Sequence, residues 1–119
     1  MRRFAPSCLA LALAAGASPL GAAQAKEPEG LKGEVYPNFK IELQNHGRDV
    51  KTLKAGTYTI KIEDKARIHN FHLKGPGVDK ATTVPFVGER TWRVTLRPGT
   101  YTYLCDPHAS GMRGTFRVA

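Results

Sequence analysis

The chain has 119 residues, 18 of them basic against 10 acidic, with a formal net charge of +8 at pH 7. Two cysteines are too few for the disulfide framework of a small secreted scaffold. Lys and Arg are spread without a block of five or more and without interleaved aromatics, which speaks against a nucleic-acid binder and for a solvated surface that can steer an acidic partner.

The N-terminus reads as a targeting segment. Arg2 and Arg3 give a positive start, Cys8 to Ala17 is a run of small and apolar residues, and Ala23-Gln24-Ala25 suits a signal peptidase. Residues 1–25 are therefore expected to be a signal peptide and residues 26–119 a single exported, periplasmic-type domain. The apolar run is interrupted by Gly16 and Pro19, and no later stretch approaches the roughly 20 apolar residues of a spanning helix. Losing the leader removes Cys8 and Met1, so Cys105 becomes the sole cysteine and Met112 the sole methionine of the mature segment. A lone cysteine cannot close an intramolecular disulfide.

Strand patterns fill the rest. Val35 to Leu43 has strand length and composition, Thr57 to Ile62 alternates with Tyr58, Ile60 and Ile62 on one face, and Ile68 to Leu73 follows. Val78 to Gly88 is irregular, and Pro85 argues against a central strand, so it is expected to cross between sheets. Thr91 to Leu96, Thr100 to Cys105 and Thr115 to Val118 complete the set. Turn residues separate them at Asn45-His46-Gly47, Ala55-Gly56, Gly75-Pro76-Gly77, Arg97-Pro98-Gly99 and Ser110-Gly111. No stretch has a sustained helical period, so the expected fold is an all-β sandwich in one domain. Leu53 to Thr59 and Leu96 to Thr102 echo each other, each with Gly-Thr-Tyr-Thr after a basic residue.

The second copy of this echo leads into the most informative stretch, Cys105-Asp106-Pro107-His108-Ala109-Ser110-Gly111-Met112. Strand alternation puts Tyr101, Tyr103 and Cys105 on one face. Pro107 forces a turn directly afterwards, so the chain can fold back and bring Cys105, His108 and Met112 to one point. Thiolate, imidazole and thioether form the set used by a His₂Cys copper centre with a weak axial Met. The second imidazole must come from elsewhere. His69 shares a face with Phe71 and Leu73, and the Asn70 amide is placed to bond across to the Cys105 loop; His72, on the other face, is the rival, and His46 sits in a turn. A structural zinc site is disfavoured because thioether is a poor zinc ligand. A Cys and His nucleophilic pair would need an orienting carboxylate, for which only Asp106 is at hand, and it would leave Met112 without a role.

His69-Asn70 and residues 98–114 resemble the corresponding stretches of the cupredoxins, the small blue copper proteins, and are most similar to plastocyanin and amicyanin. The resemblance implies a Greek-key β-sandwich holding one type 1 copper ion through His69, Cys105, His108 and Met112. The donor chemistry itself, soft sulfur with imidazole in a fixed compromise geometry, points to a protein that carries single electrons between redox partner proteins, expected to be a monomer and not an enzyme. The alternative is a periplasmic protein that stores or delivers copper through the same site. Two features depart from those relatives: the three residues between His108 and Met112 fall between the shorter amicyanin and the longer plastocyanin spacing, and Leu104 stands where plastocyanin has an outward tyrosine. Pro76, Pro107, Ala109 and Gly111 are expected to form a flat docking patch around His108.

Overall fold

The computed structural model describes residues 28–119, and the expected leader, residues 1–25, lies outside them. In chain order the elements are β1 (Glu29–Tyr36), β2 (Lys40–Asn45), β3 (Arg48–Asp49), β4 (Thr52–Leu53), β5 (Gly56–Asp64), β6 (His72–Gly75), β7 (Val78–Ala81), β8 (Gly88–Leu96), β9 (Gly99–Leu104), a 3₁₀ turn (Asp106–His108) and β10 (Arg113–Val118). Two five-stranded sheets result, one ordered β3-β2-β1-β5-β8 and the other β4-β10-β9-β6-β7. β1 runs parallel to β5 and β4 parallel to β10, while the other pairs are antiparallel. β5 and β8 are neighbours in one sheet, yet β6 and β7 between them belong to the other. That crossing makes the expected Greek-key sandwich.

Alternation sets which side chains fill it. On β5, Tyr58, Ile60 and Ile62 are buried while the intervening Thr59, Lys61 and Glu63 are not. Tyr101 and Tyr103 of β9 continue inward to Cys105, and Phe116 and Val118 face them from β10. Aromatic rings tie the layers together: Phe71 stacks on Tyr103 with centroids 5.9 Å apart, and Tyr101 on Phe116 at 5.3 Å. Each such ring, like each fully buried large aliphatic side chain around it, contributes about 1.5–3 kcal/mol. They need room beside them. A Cβ on Gly75 would collide with the Tyr101 ring and one on Gly114 with the Tyr103 ring, so glycine at these two strand positions lets each tyrosine lie flat over its neighbour.

The repeated Gly-Thr-Tyr-Thr has a shared job. The Tyr58 hydroxyl donates to the Lys54 carbonyl at 2.6 Å, and the Tyr101 hydroxyl accepts from the Arg97 N–H at 2.9 Å while lying 2.9 Å from the Arg97 carbonyl. Each tyrosine thus bonds back to the basic residue four positions upstream and fixes the corner where its strand begins, in the manner of a tyrosine corner. The second corner anchors the far end of the strand that delivers Cys105.

Three segments differ from expectation. Val35 to Leu43 is a hairpin and not one strand: Pro37 lacks an N–H, Pro37-Asn38 favours a turn, and Phe39 adopts a left-handed φ of 61°. Ile68 to Leu73 is strand only from His72 onward, because Ile68 lies in a turn and the Phe71 backbone bonds to Thr82 instead. Within Val78 to Gly88, residues Val78–Ala81 form an edge strand on β6, and the crossing is confined to the residues after it; Pro85 lies outside any strand, as expected.

One charged group is buried on the outer face of β1. Glu34 is 7% exposed and receives the ammonium groups of Lys32 at 2.7 Å and Lys65 at 3.3 Å. Burial by itself would raise this carboxyl, but those partners outweigh it and hold it at about 2 instead of the ordinary 4.5. Because the folded value is depressed, its stabilisation is complete above pH 4.5 and fades as pH falls toward 2. Thermal unfolding of Glu34→Gln should therefore show a loss of stability at pH 7 that vanishes near pH 2. Gly114→Ala should destabilise by about 1–3 kcal/mol through overpacking against Tyr103, measured by denaturant unfolding, whereas Gly30→Ala, where a Cβ meets only Thr59 Oγ1 at 3.8 Å, should cost far less.

Candidate metal centre

Neighbouring strands bring two segments to one end of the sandwich. β6 and β9 pair antiparallel with His72 opposite Leu104. The residues just before β6 therefore meet those just after β9, placing His69 beside Cys105. The loop after Cys105 is closed by its own backbone. His108 N–H donates to the Cys105 carbonyl at 3.1 Å, Met112 N–H to the His108 carbonyl at 2.8 Å, and Cys105 N–H to the Met112 carbonyl at 3.0 Å. Pro107 stands in the first turn of the 3₁₀ element, where its missing N–H costs nothing. β10 begins at Arg113 and pairs with Leu104, so both ends of the loop are held in one sheet.

Inside this frame three donors converge. His69 Nδ1 and His108 Nδ1 are 3.1 Å apart, and Cys105 Sγ lies 3.7 Å from the first and 3.6 Å from the second. All three ligating atoms fall within 4.8 Å of one another, the one such group of His, Cys, Asp and Glu found among the described residues. His69 and Cys105 are fully buried, Met112 is 1% exposed, and His108 is half-buried. Both rings turn the same nitrogen, Nδ1, toward the thiol. Two imidazole nitrogens and a thiol facing one another across so little space suit a shared cation far better than one another, and a soft sulfur with two imidazoles suits copper.

Asn70 joins the two segments as the sequence suggests. Its Oδ1 accepts from the Asp106 N–H at 2.8 Å, while its Nδ2 donates to Asp106 Oδ2 at 2.7 Å and to the Thr82 carbonyl at 3.1 Å. Asn70 follows His69 directly and Asp106 follows Cys105 directly, so these bonds lock the two donor-bearing segments in register.

His72 takes no part in the cluster. Its Nδ1 lies 2.8 Å from Asp106 Oδ1 and its Nε2 bonds Asp79, so both ring nitrogens are engaged on the outer face. His46 lies in the β2–β3 turn, 3.6 Å from Glu29 Oε1. Pro76 is displaced from its expected place: its carbonyl lies 3.1 Å from the Tyr101 hydroxyl, at the Arg97 end of β9, so it cannot join a patch around His108. Pro107, Ala109 and Gly111 remain beside His108.

Sequence reasoning missed Phe39. Its ring packs edge-on to His69, with centroids 4.9 Å apart, and to His108 at 4.8 Å, while 55% of the residue stays exposed. The Pro37-Asn38 dipeptide was the available signal for the turn that carries it. Asp64 was also missed: it holds an inward position on β5 at 1% exposure, burial raises its carboxyl, and its Oδ1 accepts from the Ala66 N–H at 3.0 Å.

The His72 bridge has a pH signature. Burial opposes its protonation, but Asp106 and Asp79 outweigh that and raise it above the ordinary 6.5. With a raised folded value, its stabilisation is complete below pH 6.5 and declines as pH climbs through that value. Thermal melts of His72→Gln should differ most from the unaltered protein below pH 6.5 and converge with it on alkalinisation.

Residues 40–119 match the family model described as copper binding proteins of the plastocyanin/azurin family. Reduced rusticyanin shares the fold with a TM-score of 0.58 at 23% identity, covering 76% of this chain and 78% of that one. Dithionite-reduced auracyanin from the photosynthetic bacterium Roseiflexus castenholzii aligns with a TM-score of 0.55 at 21% identity, over 76% of this chain and 97% of that one. With two mixed sheets and a His69, Cys105 and His108 cluster that fits a single type 1 copper site, the chain belongs to the plastocyanin/azurin family of copper-binding proteins, the cupredoxins.

Proposed function

We propose that this protein is an exported one-electron carrier, with His69, Cys105, His108 and Met112 as the ligands of one copper ion. The observation that carries the reading is the convergence of Cys105 Sγ and two imidazole Nδ1 atoms within 4.8 Å, held by backbone and Asn70 bonds that join both segments. Bound there, copper supplies a couple between its +1 and +2 states. The chain's own residues do the rest. Cys105 Sγ and the Nδ1 atoms of His69 and His108 would hold the ion through one sulfur and two nitrogens. Met112, fixed by its two backbone bonds to His108 and Cys105, would add a weak thioether donor that tunes the potential. A Cys105–Met112 loop tied at both ends in a sheet, and joined to the His69 segment by Asn70, resists rearrangement when charge changes, which keeps electron transfer fast.

His69 is buried and His108 reaches the surface, so an electron enters from a donor protein and leaves to an acceptor through the His108 edge. Pro107, Ala109 and Gly111 border that edge without charge, and the basic excess of the chain steers acidic partners toward it. Export is supported by Arg2, Arg3, the apolar run and Ala23-Gln24-Ala25, with cleavage after Ala25. No helix among the described residues is long and apolar enough to cross a membrane. A carrier fits better than a Cys-His enzyme because Asp106 is bonded to Asn70 and His72 and not to His108. The burial of Cys105, His69 and Met112 likewise favours a retained ion over one delivered elsewhere.

Adding Cu(II) to the protein should give an intense visible thiolate charge-transfer band and the narrow copper hyperfine splitting of a blue site in EPR. Cys105→Ser should abolish the band, Met112→Leu should keep it while raising the reduction potential, and His72→Ala should leave it intact. A copper-loaded protein without the band would sink the assignment, and ready stripping of copper by a chelator would favour copper handling.

A further inference from the structure

Phe39 is an oddity in the fold. A bulky residue at positive φ is a genuine backbone outlier, because its Cβ crowds the following carbonyl, and such positions usually hold Gly or Asn. Phe39 holds φ 61° in the turn between β1 and β2 and is 55% exposed, so core burial does not explain the strain. Strain of this kind persists where the surroundings over-determine it, and it gathers at functional sites. The surroundings here are the two imidazoles. Phe39 meets His69 at 71° and His108 at 84°, and the two histidines meet each other at 76° with centroids 4.8 Å apart. Three rings thus stand mutually edge-to-face, within the distance range where such pairs attract. The family match begins at residue 40, so Phe39 lies outside it.

We infer that Phe39 is a positioning residue for the copper site: its ring braces both imidazoles edge-on and shields them on that side, leaving the rest of the His108 edge at the surface. This rests on the ligand assignment proposed above. An apolar cover over a metal limits water access and lowers the local dielectric, which controls potential and metal retention. It favours the less charged Cu(I) state, so the ring raises the potential. Without it, His108 gains freedom and water reaches the Cu(II) state.

The test uses the copper-loaded protein with Phe39→Gly and Phe39→Asn, two residues that tolerate left-handed φ, together with Phe39→Tyr, which keeps the ring. His46→Gly is the control. It relieves the other left-handed residue, φ 50°, at the opposite end of β2 and away from the copper cluster. Phe39→Gly and Phe39→Asn should match or exceed the thermal stability of the apo protein. They should also bind copper roughly 10- to 100-fold more weakly in competition with a chelator, and so release it more readily, the range in affinity seen when residues supporting metal ligands are lost, and show a lower reduction potential. Phe39→Tyr and His46→Gly should behave as the unaltered protein. Unchanged potential and release in folded Phe39→Gly and Phe39→Asn would overturn the inference, as would Phe39→Tyr changing as much as they do. A missing thiolate band in the unaltered protein would instead condemn the ligand assignment.

Discussion

The two bonds between Asn70 and Asp106 are the constraint on which the site depends. Neither segment alone can gather the ligands. His69 lies outside any strand, with only a 3.4 Å bond from its N–H to the Ala66 carbonyl, while the Cys105 loop closes on itself but offers one imidazole. Asn70 converts two independently folded loops into one rigid body. It is 2% exposed, so breaking its bonds would leave a buried amide without partners, the expensive way to lose a hydrogen bond. Asp106 extends the lock outward through His72 to Asp79 on the edge strand β7, and burial, which would raise its carboxyl, is outweighed by His72 and Asn70, which keep it ionised.

Rigidity at the ligand end is prepared at the other end of the same strand. Tyr101 is pinned by its hydroxyl at the Arg97 corner, Tyr103 lies over Gly114, and Cys105 follows two residues later with the same inward phase. Register errors would put Cys105 on the solvent face, since one residue of slip inverts every side chain. The stacked pairs Phe71–Tyr103 and Tyr101–Phe116 penalise such a slip, because each couples β9 to a different neighbour. Packing of the core and placement of the thiol are therefore one problem with one solution.

Much of this was legible in the sequence because it is local. Alternation through Tyr101, Tyr103 and Cys105, the Pro107 turn and the spacing to Met112 are short-range facts, and Asn70 could be read as a brace from its place beside His69. What escaped depends on distant chain segments. Phe39 reaches the imidazoles only because the hairpin breaks at Pro37, and the apparent continuity of Val35 to Leu43 concealed that break. Pro76 looked like a neighbour of the ligand loop by composition, but antiparallel pairing of β6 with β9 carries it to the opposite end. The role of the repeated Gly-Thr-Tyr-Thr was invisible until both hydroxyls were seen to return to their corners.

A site locked by backbone bonds and Asn70 should change little when its charge changes. The most direct test is X-ray absorption at the copper edge in both oxidation states of the same protein. The same set of sulfur and nitrogen scatterers at nearly unchanged distances in the oxidised and reduced forms is the predicted result. Loss of a nitrogen scatterer, gain of an oxygen scatterer or a large lengthening of the shell on reduction would contradict a rigid electron-transfer centre.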